Sequence, residues 1–442
     1  MLSTIAIVGV PNVGKSTLFN RLTNSNESII SHIAGTTRDR CYGFSDNDLG
    51  TLLLIDTGGL TDQQQTIQKQ LNNQVWLAIE EADLILFVVD AQAAMSEYEK
   101  ELSQQLRDSE KDIILIANKA DNADVLSRCD TDYYRLGFKR IHTLSAKSKF
   151  GMEDLMVDLG PYYQQHEIDY DDNQLPCLSI IGRPNAGKST LFNTLIKQDR
   201  VVVSEQPHTT TTSTTEKLTV RDSNGSHQFN IVDTAGIRRK SLVKTGLESL
   251  SIIQSLRNLQ SSDVTIYLVD GTQEIAQQDI QLIDLCLRRG VSVVIAINKI
   301  DHMSEYQTRL IQMNIRDRCQ GMAHVPIVFI SAKAGRRIRT LEKTLIKIYQ
   351  SRRYTSNTAY LTRLLNKATE HQPPPVTKGI RPRLQFAHPQ AGRKLSIIIR
   401  GKKLQQLPNT YKRYLGEFFR KKLKLIGTNV IFIFKQDDNP YE

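Results

Sequence analysis

At 442 residues the chain is long enough for two or three domains, and its formal charge of +10 points to a polyanionic partner. Five cysteines, at 41, 129, 177, 286 and 319, form no C-x-x-C pair, and the nine histidines show no metal spacing, so neither a disulfide framework nor a zinc site is expected. No apolar run is long enough to span a bilayer and the first strand begins by Thr4, so no signal peptide is expected and a reducing cytoplasm is the compartment that fits.

In chain order, the apolar run from Thr4 to Val8 reads as a buried strand and Ser16 to Asn20 as the start of a helix. Between and into them run Gly9, Val10, Pro11, Asn12, Val13, Gly14, Lys15, Ser16 and Thr17, a G-x4-G-K-S loop in its strand–loop–helix setting. Successive backbone N–H groups at a helix N-terminus make a concave anion site, and Lys15 adds a point charge for the outer phosphates. The next strand, 52–55, ends in Asp56, Thr57, Gly58, Gly59 and Leu60. Asp56 is placed to hold a magnesium hydration shell, with the Ser16 hydroxyl bound to the metal directly. Gly59 lets a backbone N–H approach a third phosphate, so that the following segment senses its loss.

The strand 113–117 ends in Asn118, Lys119, Ala120 and Asp121. The Asp121 carboxylate can accept both guanine N1–H and N2–H. Adenine presents an acceptor and a C–H on that edge and would leave the carboxylate unpaired, a mismatch of a few kcal/mol or roughly a hundredfold in selectivity. Ser145, Ala146 and Lys147 close the set, with the Ala146 N–H expected on guanine O6, an oxygen that adenine lacks.

All four elements return. A strand at 178–181 leads into Gly182, Arg183, Pro184, Asn185, Ala186, Gly187, Lys188, Ser189 and Thr190. A strand at 229–232 ends in Asp233, Thr234, Ala235, Gly236 and Ile237, and one at 293–297 in Asn298, Lys299, Ile300 and Asp301, followed later by Ser331, Ala332 and Lys333. The offsets between copies, 173 (9 to 182), 177 (56 to 233), 180 (118 to 298) and 186 (145 to 331), grow in steps that short loop insertions supply. This is a duplicated nucleotide-binding domain, expected at 1–163 and 176–350, with the polar, acidic stretch 164–175 as a flexible linker. Each copy is expected to be α/β: a mostly parallel sheet with helices on both faces.

Residues 351–442 carry nineteen Lys plus Arg against five Asp plus Glu, a net of +14, so residues 1–350 carry 10 − 14 = −4. A basic segment on a mildly acidic body favours RNA as the polyanion. Its pattern reads helix 355–370, strand 382–387, strand 395–400, helix 409–424 and strand 429–435. Tyr411, Tyr414 and Phe418 follow helical spacing and belong mostly to a core. No G-x-x-G occurs between 351 and 442, which argues against the backbone clamp of RNA-binding KH domains and for phosphate or shape contacts.

These residues resemble the translation-factor-type GTPases, and the tandem loops followed by a short basic α-β-β-α-β domain are similar to the bacterial Der (EngA) family, whose last domain is KH-like. The resemblance implies GTP hydrolysis to GDP and phosphate by a monomer acting in maturation of the large ribosomal subunit, in contact with ribosomal particles and rRNA and not with membrane. It implies magnesium ligands at Thr37 (or its neighbour Thr36) and, in a threonine run that cannot fix its own register, Thr210. Many GTPases follow D-x-x-G with a water-orienting glutamine; here Leu60 and Ile237 stand there. The resemblance implies instead that Asn12 and Asn185 bind a potassium ion, which with Lys15 and Lys188 would stabilise charge in the transition state. Shaping the turn after proline is the alternative for both asparagines. Two other functions fit the motifs: a GTP-dependent RNA scaffold in which hydrolysis only resets binding, and a GTPase switch on a membrane or protein partner.

Overall fold

The computed structural model describes residues 2–23, 29–31, 40–47, 49–57, 76, 78–121, 133, 136–163, 175–198, 216–222, 225–232, 256–257, 259, 261–318, 320–352, 357–377, 379–392 and 394–436. The chain forms two compact units, Met1–Glu167 and Ile168–Glu442. The expected linker falls, but for Leu175, outside the described residues.

In the first unit, β1 (Thr4–Val8), β2 (Ile29–Ser31), β3 (Arg40–Asn47), β4 (Gly50–Asp56), β5 (Leu84–Asp90), β6 (Asp112–Asn118) and β7 (Arg140–Thr143) form one sheet in the order β2-β3-β4-β1-β5-β6-β7. β4, β1, β5, β6 and β7 run parallel, while β3 is antiparallel to both β2 and β4. All five residues of β1 and all seven of β4 are buried, which is why these strands read as unbroken apolar runs and not as alternations. Helices α1 (Lys15–Leu22) and α3 (Met152–Leu159) share a core with the sheet through Leu18, Phe19, Leu155 and Leu159. Between them in sequence, α2 (Glu97–Asp108) starts from a Ser96–Glu99 capping box.

The second unit repeats the plan. β8 (Cys177–Ile181), β9 (Glu216–Asp222), β10 (Gly225–Ile231), β11 (Val264–Asp270), β12 (Ser292–Asn298) and β13 (Ile327–Phe329) are ordered β13-β12-β11-β8-β10-β9, parallel except for β9. Its helices are α4 (Lys188–Gln198), α5 (Gln277–Arg288), α6 (Glu305–Arg318) and α7 (Ile338–Arg352). The basic segment continues the same unit as α8 (Thr358–His371), β14 (Arg383–Gln390), β15 (Ser396–Lys402), α9 (Asn409–Lys422) and β16 (Ile431–Gln436). This is the expected α-β-β-α-β order, with Leu361, Leu365, Leu415 and Phe419 packed on the inner face of the sheet β14-β15-β16.

The turn before β16 joins this small domain to the sheet of β8 to β13. Val293 N–H donates to Gly427 O at 2.7 Å, Gly427 N–H to His324 O at 2.9 Å, and the Thr428 hydroxyl to Ser292 Oγ at 2.6 Å. Burial, reinforced by the Arg420 guanidinium, holds His324 down to about 4, so the junction is uncharged at that ring near neutral pH. Among the described residues no helix is long and apolar enough to cross a membrane.

Candidate nucleotide sites

β1 delivers the chain into the loop Gly9 to Gly14, and α1 begins at Lys15. Gly14 caps α1 from the left-handed region, φ 95°, and offers the first-turn N–H groups no side chain, which leaves them for an anion. A Cβ on Gly14 would lie 2.2 Å from Asn118 Nδ2, and one on Gly187 2.3 Å from Asn298 Nδ2, so both backbone and space require glycine.

Those asparagines are the centre of each site. Asn118 Nδ2 donates to Val13 O at 2.8 Å while its Oδ1 accepts from Ala146 N–H at 3.0 Å. Asn298 repeats this with Ala186 O at 2.8 Å and Ala332 N–H at 2.9 Å. One buried carboxamide thus clips the phosphate loop to the base loop in both copies. The Ala146 and Ala332 N–H groups, the ones expected on guanine O6, point at these carboxamide oxygens, since a buried carboxamide oxygen needs a donor.

Lys15 is buried and donates to Val10 O at 2.6 Å; Lys188 donates to Gly182 O and Arg183 O, each at 2.6 Å. Burial brings the Lys15 ammonium down to about 8 against the opposing attraction of Asp56. The Ser16 hydroxyl donates to Asp56 Oδ2 at 2.8 Å. Two hard oxygens therefore converge beside the loop, the donor type that magnesium takes when phosphate and water fill its other positions. Thr57 is tied to β1, its hydroxyl donating to Ile7 O at 2.9 Å.

At the base end, Lys119 and Lys299 adopt left-handed backbone, φ 70° and 66°, and their ammoniums pair with Asp90 at 2.6 Å and Asp270 at 2.5 Å. Ala120 N–H reaches Leu144 O at 3.1 Å and Ile300 N–H reaches Ile330 O at 3.3 Å, which seats both turns on the following loop. Asp121 and Asp301 are exposed. A hydrogen bond from the Ser331 hydroxyl holds the Asp301 carboxyl below its ordinary range. Ser145 Oγ and Ser331 Oγ accept from the N–H groups of Ser148 and Ala334, at 3.2 and 3.1 Å. Lys147 and Lys333 are exposed.

Asn12 and Asn185, behind Pro11 and Pro184, are exposed and left-handed, φ 67° and 61°. Thr17 and Thr190 lie exposed on the first helical turns. Thr37, Gly58, Gly59, Leu60, Thr210, Asp233, Thr234, Ala235, Gly236 and Ile237 lie outside the described residues.

Two residues that motif reading passed over also build the sites. Arg21 donates to Ala146 O (3.1 Å) and Lys147 O (2.9 Å), and Thr194, at the 173-residue offset, donates to Ala332 O (2.7 Å). The repeat offset applied beyond the motif would have singled out both. Arg183, read as a loop residue facing nucleotide, turns its guanidinium to Asp279, with Nε 2.9 Å from both carboxylate oxygens. Asp279 also accepts from Tyr267 OH and Ala276 N–H; burial first, then the charge and hydrogen bond of Asp279, push the Tyr267 phenol well above its ordinary value.

Comparison with known proteins fits this geometry. A family described as "50S ribosome-binding GTPase" matches at residues 4–119 and 177–299, and one described as "KH-domain-like of EngA bacterial GTPase enzymes, C-terminal" at 356–435. The chain is 39% identical over 443 residues to GTPase Der of Coxiella burnetii (strain Dugway 5J108-111), covering all of this chain and 99% of that one. GTPase Der of Acinetobacter baumannii (strain AYE) is 36% identical over 446 residues, covering 100% and 94%, and that of Yersinia enterocolitica 34% over 473, covering 100% and 95%. Among solved structures, Era in complex with MgGDPNP and 16S ribosomal RNA aligns at 24% identity and TM-score 0.33, over 58% of this chain and 87% of that one.

Proposed function

Because the chain belongs to the GTPase Der family and is a GTPase, we propose that it hydrolyses GTP at two sites to time maturation of the large ribosomal subunit. The observation that carries the two-site reading is the asparagine clip, present with the same partners in both copies. Asp121 and Asp301 read guanine N1–H and N2–H, and the backbone N–H groups of Ala146 and Ala332 meet O6.

Lys15 and Lys188 hold the outer phosphates, and Ser16 with Asp56 and Ser189 with Asp233 are the magnesium ligands, joined by Thr37 and Thr210. Magnesium held there would supply positive charge against the charge that develops on the terminal phosphoryl group, with water as the nucleophile. With Leu60 and Ile237 in the water-orienting positions, the protein supplies no side-chain amide to the nucleophile. Turnover is then slow, on the order of 10⁻⁴ to 10⁻² per second.

Asn12 and Asn185 would hold a potassium ion, which would supply positive charge against the charge developing in the transition state. Their left-handed backbone supports the turn-shaping reading as well, since asparagine tolerates that conformation. Equal turnover in sodium and potassium, with ribosomal particles present, would leave only the turn.

The basic last domain meets rRNA, and the protein works as a cytoplasmic monomer. Sucrose-gradient fractionation with GTP, GDP or a non-hydrolysable analogue tests this: nucleotide-dependent migration with large-subunit particles is expected. Retention by liposomes and by no particle would transfer the function to a membrane.

A further inference from the structure

The sheet of the last domain has two faces, and only one belongs to its core. Ala387, Ile397 and Ile399 point to the helices. Strand alternation sends their neighbours the other way, and the register brings those neighbours into rows. Phe386 lies opposite Arg400, and Arg400 beside Lys435; Arg383 lies opposite Lys402. All five are exposed, Phe386 by 55% of its surface. Toward the other end of this face, Ile431 abuts the second GTPase-type domain, where a Cβ on Gly290 would come within 2.5 Å of it. What remains open is a basic patch with one aromatic ring on its edge strand, β14.

An exposed phenylalanine leaves apolar surface in water. Four cations spaced by strand and pleat beside a ring form the pattern that holds a single polynucleotide strand, phosphates on the cations and a base on the π-face. A duplex keeps its bases stacked on one another and could use only the cations.

We propose that this open sheet face binds a single-stranded RNA segment, with one base stacked on Phe386 and its backbone tracked by Arg383, Arg400, Lys402 and Lys435. The inference rests on the reading of this domain as RNA-facing and gives that contact a place and a strand type. It needs no G-x-x-G clamp, since the surface lies opposite the helices.

The test is anisotropy of the full-length protein with a labelled twelve-nucleotide oligo(A), against a twelve-base-pair RNA duplex and phosphatidylserine vesicles. Phe386→Ala is expected to weaken the single strand roughly five- to hundredfold without changing the salt slope, because stacking and not charge is lost. Phe386→Trp is expected to restore or exceed the original affinity, which separates stacking from misfolding. Arg400→Ala is expected to lower the salt slope by about 0.7, the value for one phosphate on a single strand. GTP turnover should be unchanged in all three variants. Wild-type affinity in Phe386→Ala and Arg400→Ala, or a wild-type preference for duplex or vesicles, would overturn the assignment. Failure of the chain to travel with any ribosomal particle would instead sink the functional reading beneath it.

Discussion

Gly427 and Val293 are joined from both sides: the Gly427 carbonyl accepts the Val293 N–H at 2.7 Å, and a Cβ on Gly427 would fall 2.4 Å from the Val293 carbonyl oxygen. Gly427 also has φ +62°, where an L side chain is strained whatever the space. Because the added atom meets backbone and not a flexible side-chain end, relief requires the two domains to part. Gly427→Ala is therefore expected to destabilise the junction by about 1–3 kcal/mol. The neighbouring Ile426→Ala, at a side chain already 37% exposed, should cost far less. Hydrogen exchange at Val293 reads the difference directly, and unchanged protection in Gly427→Ala would show that the contact bears no load.

The asparagine clips lead to a separable loss. Asn118→Ala leaves the Val13 carbonyl and the Ala146 N–H without their partner inside a closed site, at about 1–3 kcal/mol for each unsatisfied group. First-site affinity for GDP should fall by roughly tenfold or more, while the second site keeps its own clip through Asn298. Calorimetry is expected to show two sites in the wild type, one strong site in either single variant and none in the double. A single variant that lost both sites together would mean the domains do not fold around their nucleotides independently.

How far the sequence carried these conclusions depends on what kind of relation is involved. Buried parallel strands must be apolar along their whole length, so β1, β6, β8 and β12 were plain as runs, and the glycine loops were plain because each opens from such a run into a helix. The small domain's element order was readable from periodicity, its boundaries shifting by one to three residues: the helix expected at 355–370 forms at Thr358–His371. Periodicity reports which face a residue takes but not what it meets there. Arg21 and Ala146 are 125 residues apart, and nothing in either neighbourhood marks the pair. Asn118 was read as part of a base-recognition motif, whereas its side chain spends both polar ends on the protein. Phe386 gave no signal either, because a lone phenylalanine in a strand is more often core and only the register shows which way it points.

Arg183 and Val10 occupy the same position in the two loops, and only the arginine reaches across to a helix. Its partner Asp279 is buried, with Tyr267 OH at 2.9 Å and Ala276 N–H at 2.8 Å as its other donors. Arg183→Val makes the second loop resemble the first and removes the charge that compensates a buried carboxylate. Release of a fluorescent GDP analogue from the second site is expected to quicken by roughly five- to thirtyfold, the equivalent of about 1–2 kcal/mol. Measured by stopped flow in a Lys15→Ala background, the signal comes from the second site alone. An unchanged release rate would mean that the loop holds its shape without this pair.

Lys15 makes nucleotide binding at the first site a proton-coupled event. Burial, only partly offset by Asp56, lowers its folded value to about 8 from 10.5. The charged form is therefore disfavoured in the nucleotide-free fold, a penalty fully present below about 8 that disappears as pH rises toward the unfolded value. Phosphates supply the missing counter-charge and move the ammonium back up. Between about pH 8 and 10, binding should then draw a proton from solvent, and affinity should decline as pH rises through that window. Calorimetry of GDP binding at pH 9 in buffers of different ionisation enthalpy, on a Lys188→Ala protein, measures the uptake. A fraction of a proton approaching one per first site is expected, and binding heats independent of the buffer would mean that the loop lysine is already fully charged before the phosphates arrive.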